Sequence, residues 1–205
     1  MKTVVLATGN THKLEEFRRF FRELDVPIEL LSMREAGFTG EIVENGDRFE
    51  INAYLKARAV ISATGLPCIA DDSGLEVDAL GGAPGIYSAR YAGVHGDDEA
   101  NIRRLLEEMK DVPEEKRTAR FVCVMCVLKP RAEGGDPETM LIRETVEGKI
   151  LREKRGSGTF GYDPIFLYEP LGKTFAELDG NTKNQISHRG RALEKLLQQL
   201  NFLLK

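Results

Sequence analysis

The order of segments in the sequence predicts a mixed α/β fold. In the N-terminal half, short apolar runs alternate with stretches whose apolar residues recur at helical spacing. Two long strand-like runs follow, "RTARFVCVMCVL" and "TMLIRETVEGKIL", joined by the polar, Gly- and Pro-containing "KPRAEGGDPE". The alternation calls for strands covered by helices, and the long pair suggests an antiparallel hairpin. Together they give a mixed sheet with helices packed on it rather than a pure doubly wound sheet.

The elements are read in chain order. "KTVVLA" is a buried strand, and residues 11–24 form a helix with Leu14, Phe17, Phe21 and Leu24 on one face. "PIELLS" is a second strand, and "EAGFTGEIVENGD" is a surface loop. Residues 47–64 form a helix with Phe49, Ala53, Ala57, Val60 and Thr64 in a stripe. "LPCIADDSG" is a short strand that runs into two carboxylates and a tight turn at Ser73-Gly74, and "ALGGAPGIYSARYAG" is irregular. Residues 98–109 are a helix through Ile102, Leu105, Leu106 and Met109. After the hairpin, "GSGTFGYDPIF" is a Gly-rich turn entering a short strand. A last helix starts near residue 188 with Leu193, Leu196, Leu197, Leu200 and Leu204 inside.

Length and composition set the outer limits. A chain of 205 residues suits one domain, or one domain with two lobes, and is long enough to bury a core. With 41% apolar and 30% charged residues it has the balance of a soluble globular protein. A net charge of -4 offers no global attraction to nucleic acid or an anionic membrane, so affinity for a polyanion must come from a local cluster. No segment approaches the length of a membrane span, and the N-terminus turns polar too soon for a secretory signal. Cys68, Cys123 and Cys126 lie in apolar runs, as reduced, buried thiols of a cytosolic protein do. Cys123 and Cys126 are three apart in a strand and face opposite sides, which argues against a shared metal.

Several stretches are suited to chemistry. "ATGNTHK" follows a strand with a Gly turn and opens a helix, an arrangement that offers backbone N–H groups to an anion. Asn10 is the N-cap candidate. His12 and Lys13 in the first turn oppose the helix dipole, and a bound phosphate reverses that sign, although Glu15 and Glu16 also offer a local balance. "ISHRGRAL" repeats the pattern, with Ser187 as cap and His188 and Arg189 behind it. Asp71 and Asp72 stand where a buried strand ends, the place where open α/β sheets bind ligands. They point to opposite faces, so one suits Mg²⁺ or general-base work and the other suits bracing a turn or a neighbouring cation. Lys56 lies beside the apolar stripe of its helix, so it must either snorkel or pair with Asp71, Asp72 or a phosphate. Glu41, Glu44 and Asp47 line the preceding loop and offer an oxygen ligand to a metal shared with Asp72. In "GTFGYDP", Phe160 and Tyr162 suit stacking on a base and Asp163 suits accepting from ring N–H groups.

"TGNTHK", "NAYLKA", "ADDSGLEVDALGGAPGIYSARYAG", "FGYDPIF" and "KNQISHRGRAL" occur in that order. With them the chain resembles the inosine triphosphate pyrophosphatase family, the non-standard purine nucleoside triphosphate pyrophosphatases, and in particular its bacterial dITP/XTP branch. The resemblance implies a single two-lobed domain over 1–205. It implies a long central mixed β-sheet flanked by helices, with the active site in a cleft between the lobes. It implies Mg²⁺-dependent hydrolysis of ITP, dITP or XTP to the monophosphate and pyrophosphate, by a cytoplasmic homodimer that cleanses the nucleotide pool. By the same resemblance Thr8, Gly9, Asn10 and Lys13 hold the triphosphate. Thr11 and His12 are counted with them as substrate-binding, His12 without a job of its own. Lys56 sits near the phosphates and shares the catalytic role with Asp72, the proposed general base, while Glu44 and Asp72 are the metal carboxylates. Ser73 contacts substrate. Phe160, Gly161, Tyr162 and Asp163, with Lys183, His188 and Arg189, surround the base and its 6-oxo group. Two rivals stand beside this reading: a Maf-like pyrophosphatase of other base specificity, and a non-catalytic nucleotide-binding module.

Overall fold

The computed structural model describes every residue except Thr159 and Lys205, and every side chain of the others except that of His12. Its elements run β1 (Lys2–Leu6), α1 (Thr11–Glu23), β2 (Ile28–Ser32), α2 (Phe49–Thr64), β3 (Cys68–Val77) and α3 (Asp98–Glu108). They continue with β4 (Thr118–Lys129), β5 (Glu138–Ile150), β6 (Phe166–Tyr168), β7 (Lys173–Thr174), α4 (Gly180–Ile186), α5 (His188–Gln198) and α6 (Asn201–Leu204). Seven strands form one sheet in the order β2-β1-β3-β4-β5-β6-β7. β1 runs parallel to both β2 and β3, whereas β5 with β6 and β6 with β7 are antiparallel, so the sheet is mixed as the sequence predicts. No helix among the described residues is long and apolar enough to cross a membrane.

The chain divides into two compact units. The first comprises Met1–Asp72, Val124–Ile142 and Lys195–Lys205. Its core is what the apolar runs call for: Val4, Val5 and Leu6 of β1, Phe17 and Phe21 of α1, and Ala53, Ala57 and Val60 of α2 are all buried. Side chains on β4 are buried along almost its whole length, Cys126 among them, because that strand is covered on both faces. α1 begins where Asn10 accepts from the Lys13 N–H at 3.2 Å, as its N-cap role requires. α2 ends at Gly65, which takes the left-handed conformation (φ 68) and donates to the Ile61 carbonyl.

The second unit comprises Ser73–Cys123 and Arg143–Glu194. Its core gathers Leu75, Ile102, Leu105, Met109, Phe121, Tyr162, Phe166 and Phe175. Within it lies Arg117, 1% exposed, whose guanidinium donates to the carbonyls of Ile150, Met109 and Leu151 at 2.7–3.0 Å. A buried cation of this kind is tolerated because its N–H groups are used.

Two sequence expectations are corrected and one element is added. The strand carrying Asp71 and Asp72 does not end in a tight turn: β3 continues through Ser73 and Gly74 to Val77. What ends there is the pairing with β1, whose last partner is Ile69, so the two carboxylates stand just past the C-terminal end of β1 on a continuing strand. The stretch before α5 holds a further helix, α4, which lacks an apolar stripe and which periodicity does not reveal. The last helix breaks after Gln198. Leu200 N–H bonds to Leu197 and Leu203 N–H to Leu200, a tighter winding that turns Leu203 inward and leaves Leu204 37% exposed.

Candidate functional site

In the first unit, two lysines from two helices meet the two carboxylates of β3. Lys13 lies in the first turn of α1, where the dipole disfavours a cation and the turn holds no acid of its own. Its ammonium reaches both oxygens of Asp71, at 2.8 and 3.0 Å, and the Asp71 side chain is only 1% exposed. The misplaced charge is therefore matched by a buried carboxylate on a neighbouring element.

Lys56 serves the other face. It is one of the buried residues of α2, and its ammonium lies 2.8 Å from Asp72 Oδ1 and 2.9 Å from Glu44 Oε2. Pairing, not snorkelling, explains its position. Burial works against the Lys56 charge, but Asp72, Asp71 and Glu44 outweigh it and hold the pKa above its ordinary value. Burial pushes the Asp72 carboxyl up, and Glu44 and Asp71 add to the push against the opposing pull of Lys56. A raised carboxyl is better matched to accepting a proton near neutrality. Asp72 Oδ2 is buried and has no hydrogen-bond partner among the described residues, so a polar acceptor is left over.

That leftover oxygen is the test of a metal. Mg²⁺ takes hard oxygen ligands and is commonly held by one or two carboxylates with substrate phosphates. Asp72, with its unused oxygen, and Glu44, partly exposed beside the same ammonium, form a donor set of that kind. Among the described residues no group of three or more His, Cys, Asp or Glu could hold a metal ion, so a ligand's own oxygens would complete the shell. Glu41 is exposed in the same loop, and Thr8 and Gly9 form the turn ahead of Asn10, where Thr8 Oγ1 accepts from the Asn10 N–H. Thr11 opens α1 and is exposed. The side chain of His12 lies outside the described residues.

The second unit brings a different group together. Phe160, 43% exposed, leads the turn; Gly161 follows in the left-handed region (φ 54), where a side chain is strained. Tyr162 is buried and its hydroxyl donates to the Ser88 carbonyl at 2.9 Å. Its ring belongs to the core, which corrects the expectation that it stacks with Phe160 on a base. Asp163 is buried and accepts from the Lys183 ammonium, which also sits 5.4 Å from the centre of the Phe160 ring. Burial pushes the Asp163 carboxyl up, against the pull of Lys183 and Arg189, and Asp98 adds to the push.

At the start of α5, Ser187 Oγ accepts from the Gly190 N–H at 3.0 Å, so the serine caps the helix as its sequence position implies. His188 and Arg189 are buried, and the His188 ring stacks on Phe121 with centroids 4.9 Å apart and planes at 14°. Phe121 and Ser88 support this group, yet they sit in segments that read from sequence as plain core and irregular loop. Ser73 is half-buried on β3.

The fold and these charges define an α/β protein with lysine–carboxylate pairs on two helices and one strand, and a separate aromatic and basic cluster. The chain belongs to the Ham1 family, whose model matches residues 4–199. It is 48% identical over 200 residues to the dITP/XTP pyrophosphatase of Bacillus subtilis strain 168, covering 98% of each chain. It is 49% identical over 200 residues to the dITP/XTP pyrophosphatase of Escherichia coli O157:H7, again over 98% of each. The solved structure of a HAM1 protein from Coxiella burnetii superposes with a TM-score of 0.89 at 41% identity, covering 98% of this chain and 99% of that one. The resemblance read from the motifs thus holds over nearly the full length.

Proposed function

We propose that the protein is a Mg²⁺-dependent nucleoside triphosphate pyrophosphatase that hydrolyses non-standard purine nucleotides (ITP, dITP and XTP) to the monophosphate and pyrophosphate. The observation that carries this reading is the group Lys56–Asp72–Glu44, a buried cation holding two carboxylates with one carboxylate oxygen to spare. Relatives named dITP/XTP pyrophosphatase at close to half identity support the substrate class.

In this reading Asp72 accepts the proton of the attacking water. The water oxygen forms a bond to the α-phosphorus, and the bond from that phosphorus to the α–β bridging oxygen breaks. Pyrophosphate departs with the electron pair. Lys13 and Lys56 lie ready to stabilise the charge that develops on the leaving group. Glu44 and Asp72 would hold Mg²⁺, which supplies Lewis-acid neutralisation of the phosphate oxygens. The turn before α1 offers the N–H of Gly9 to the phosphates, with that of Thr11 at the start of α1 behind it.

Base selection falls to the second unit. Lys183, His188 and Arg189 are donors suited to a 6-oxo group, and a 6-amino group would meet donor with donor. An unmet polar group in a closed site is costly, so ATP is rejected. Phe160 offers the exposed ring for stacking and Asp163 the acceptor for ring N–H. The same reading takes the protein to be a cytoplasmic homodimer, each chain a single two-lobed domain, as the family resemblance implies.

A panel of common and deaminated nucleoside triphosphates with Mg²⁺, separating pyrophosphate from phosphate release, tests the proposal. ITP or XTP should give pyrophosphate, with kcat/KM at least about 100-fold above that for ATP. Preference for a pyrimidine or modified nucleotide would favour a Maf-like activity, and binding without turnover a non-catalytic module.

A further inference from the structure

The carboxylate of Asp98 accepts from the backbone N–H of Gly161 at 2.7 Å, across 63 residues of sequence. Asp98 is the first residue of α3, and a carboxylate there is ordinarily explained by the helix itself. That explanation is already taken: Asp97 is the N-cap, and its side chain accepts from the Ala100 N–H at 3.0 Å. Asp98 is therefore spare as a cap, and its oxygen is committed to the turn that carries Phe160 and Asp163.

Gly161 sits in the left-handed region, with nothing within 4 Å of where a Cβ would stand. Such a residue has a wide conformational choice, and no side chain packs to limit it. The Asp98 carboxylate on its N–H, with the Asp163 N–H on the Phe160 carbonyl at 3.2 Å, fixes the peptide plane between Phe160 and Gly161, and a carboxylate acceptor makes the stronger kind of hydrogen bond. The following residue is fixed separately by Tyr162 Oη on the Ser88 carbonyl, and Asp163 by Lys183. The carbonyl of the Phe160–Gly161 peptide is taken by the Asp163 N–H, so Asp98 holds the N–H side of that peptide, next to the exposed ring.

The geometry points to Asp98 as a positioning residue for base recognition. It sets the Phe160–Gly161 peptide and so the place of the Phe160 ring, without touching substrate. This rests on the function proposed above. The expected signature is a loss confined to the base: KM changes, turnover does not follow in proportion, and a ligand without a base is indifferent.

The experiment compares the wild type with Asp98→Ala, Asp98→Asn and Asp97→Ala in the full-length protein. It measures KM and kcat for ITP with Mg²⁺, the Kd of inorganic tripolyphosphate, and hydrogen exchange of the Gly161 amide. Asp98→Ala should raise KM about tenfold with kcat changed less than twofold, leave the tripolyphosphate Kd within twofold, and expose the Gly161 amide to exchange. Asp98→Asn keeps an acceptor oxygen and should recover most of the KM and the protection. Asp97→Ala should lower Tm through its lost cap yet leave KM in place, which separates positioning from helix stability. An unprotected Gly161 amide in the wild type, an unchanged KM in Asp98→Ala, or an equal loss of tripolyphosphate affinity would overturn the inference while wild-type ITP turnover stands. Absence of pyrophosphate release from ITP by the wild type would instead overturn the functional reading, and the inference with it.

Discussion

Lys56 and Asp72 form an ion pair at 2.8 Å in which neither side chain is more than 14% exposed, and Glu44 shares the same ammonium. Removing one partner of a buried pair leaves an uncompensated charge, which costs far more than the pair itself contributes. Lys56→Met should therefore lower stability by about 3 kcal/mol, the low end of that class because Glu44 is partly exposed. The two freed carboxylates should make the variant more responsive to cation. Millimolar Mg²⁺ should raise its Tm by more than it raises that of the wild type. A variant as stable as the wild type, or one indifferent to Mg²⁺, would contradict the role of Lys56 as the charge that holds these carboxylates together.

Gly190 is the closest approach in the second unit. A Cβ placed there would stand 1.6 Å from the backbone carbonyl oxygen of Asn184, an atom that cannot swing aside as a side chain can. Gly190→Ala should destabilise by about 2 kcal/mol or more, as overpacking does. Because the displaced turn carries His188 and Arg189, KM for ITP should rise as well. Urea unfolding monitored by circular dichroism, with KM measured on the folded fraction, checks both. An unchanged urea midpoint would show that the start of α5 has room that the structure denies it.

The turn after β2 gives a dependence on pH. The Ser32 backbone N–H donates to Glu35 at 2.7 Å, and the Ser32 hydroxyl and Arg18 add to it, holding the Glu35 carboxyl down to about 2 from 4.5. A carboxyl held lower in the folded chain than in the unfolded one stabilises above its unfolded value. The contribution is complete above pH 4.5 and is lost as pH falls toward about 2. Glu35→Gln should remove part of the acid-induced fall in the urea midpoint below pH 4.5 and leave the neutral midpoint lowered. Parallel curves for the two proteins across that window would contradict it.

Much of this was legible in the sequence because local rules and the fold agree. Asn10 reads as a cap and is one; Lys56 reads as a cation on an apolar stripe and is buried in a pair. The parts that were not legible depend on distant segments. Nothing local says that β3 runs on through Ser73 and Gly74, since Asp-Ser-Gly is turn chemistry and the strand survives it through its neighbours in the sheet. The Asp97-Asp98 doublet shows a helix start, but one cap needs one carboxylate, and the destination of the second is 63 residues away. Tyr162 reads as a stacking ring because it sits between glycine and aspartate, yet its hydroxyl has a buried carbonyl to satisfy. The tightening that follows Gln198 shifts the leucine stripe by one residue, a change of winding that spacing alone does not encode.

In the proposed reaction Asp72 and its partners drive release of pyrophosphate from a deaminated purine triphosphate. The most direct measurement is ITP turnover with Mg²⁺ by the wild type and by Asp72→Asn, with pyrophosphate and phosphate read separately. Wild type should release pyrophosphate and IMP in equal amounts. Asp72→Asn, folded by circular dichroism, should lose about 100- to 10,000-fold in kcat, the range for a lost general base. Near wild-type kcat in Asp72→Asn would rule out Asp72 as the base, and phosphate in place of pyrophosphate from the wild type would rule out a pyrophosphatase.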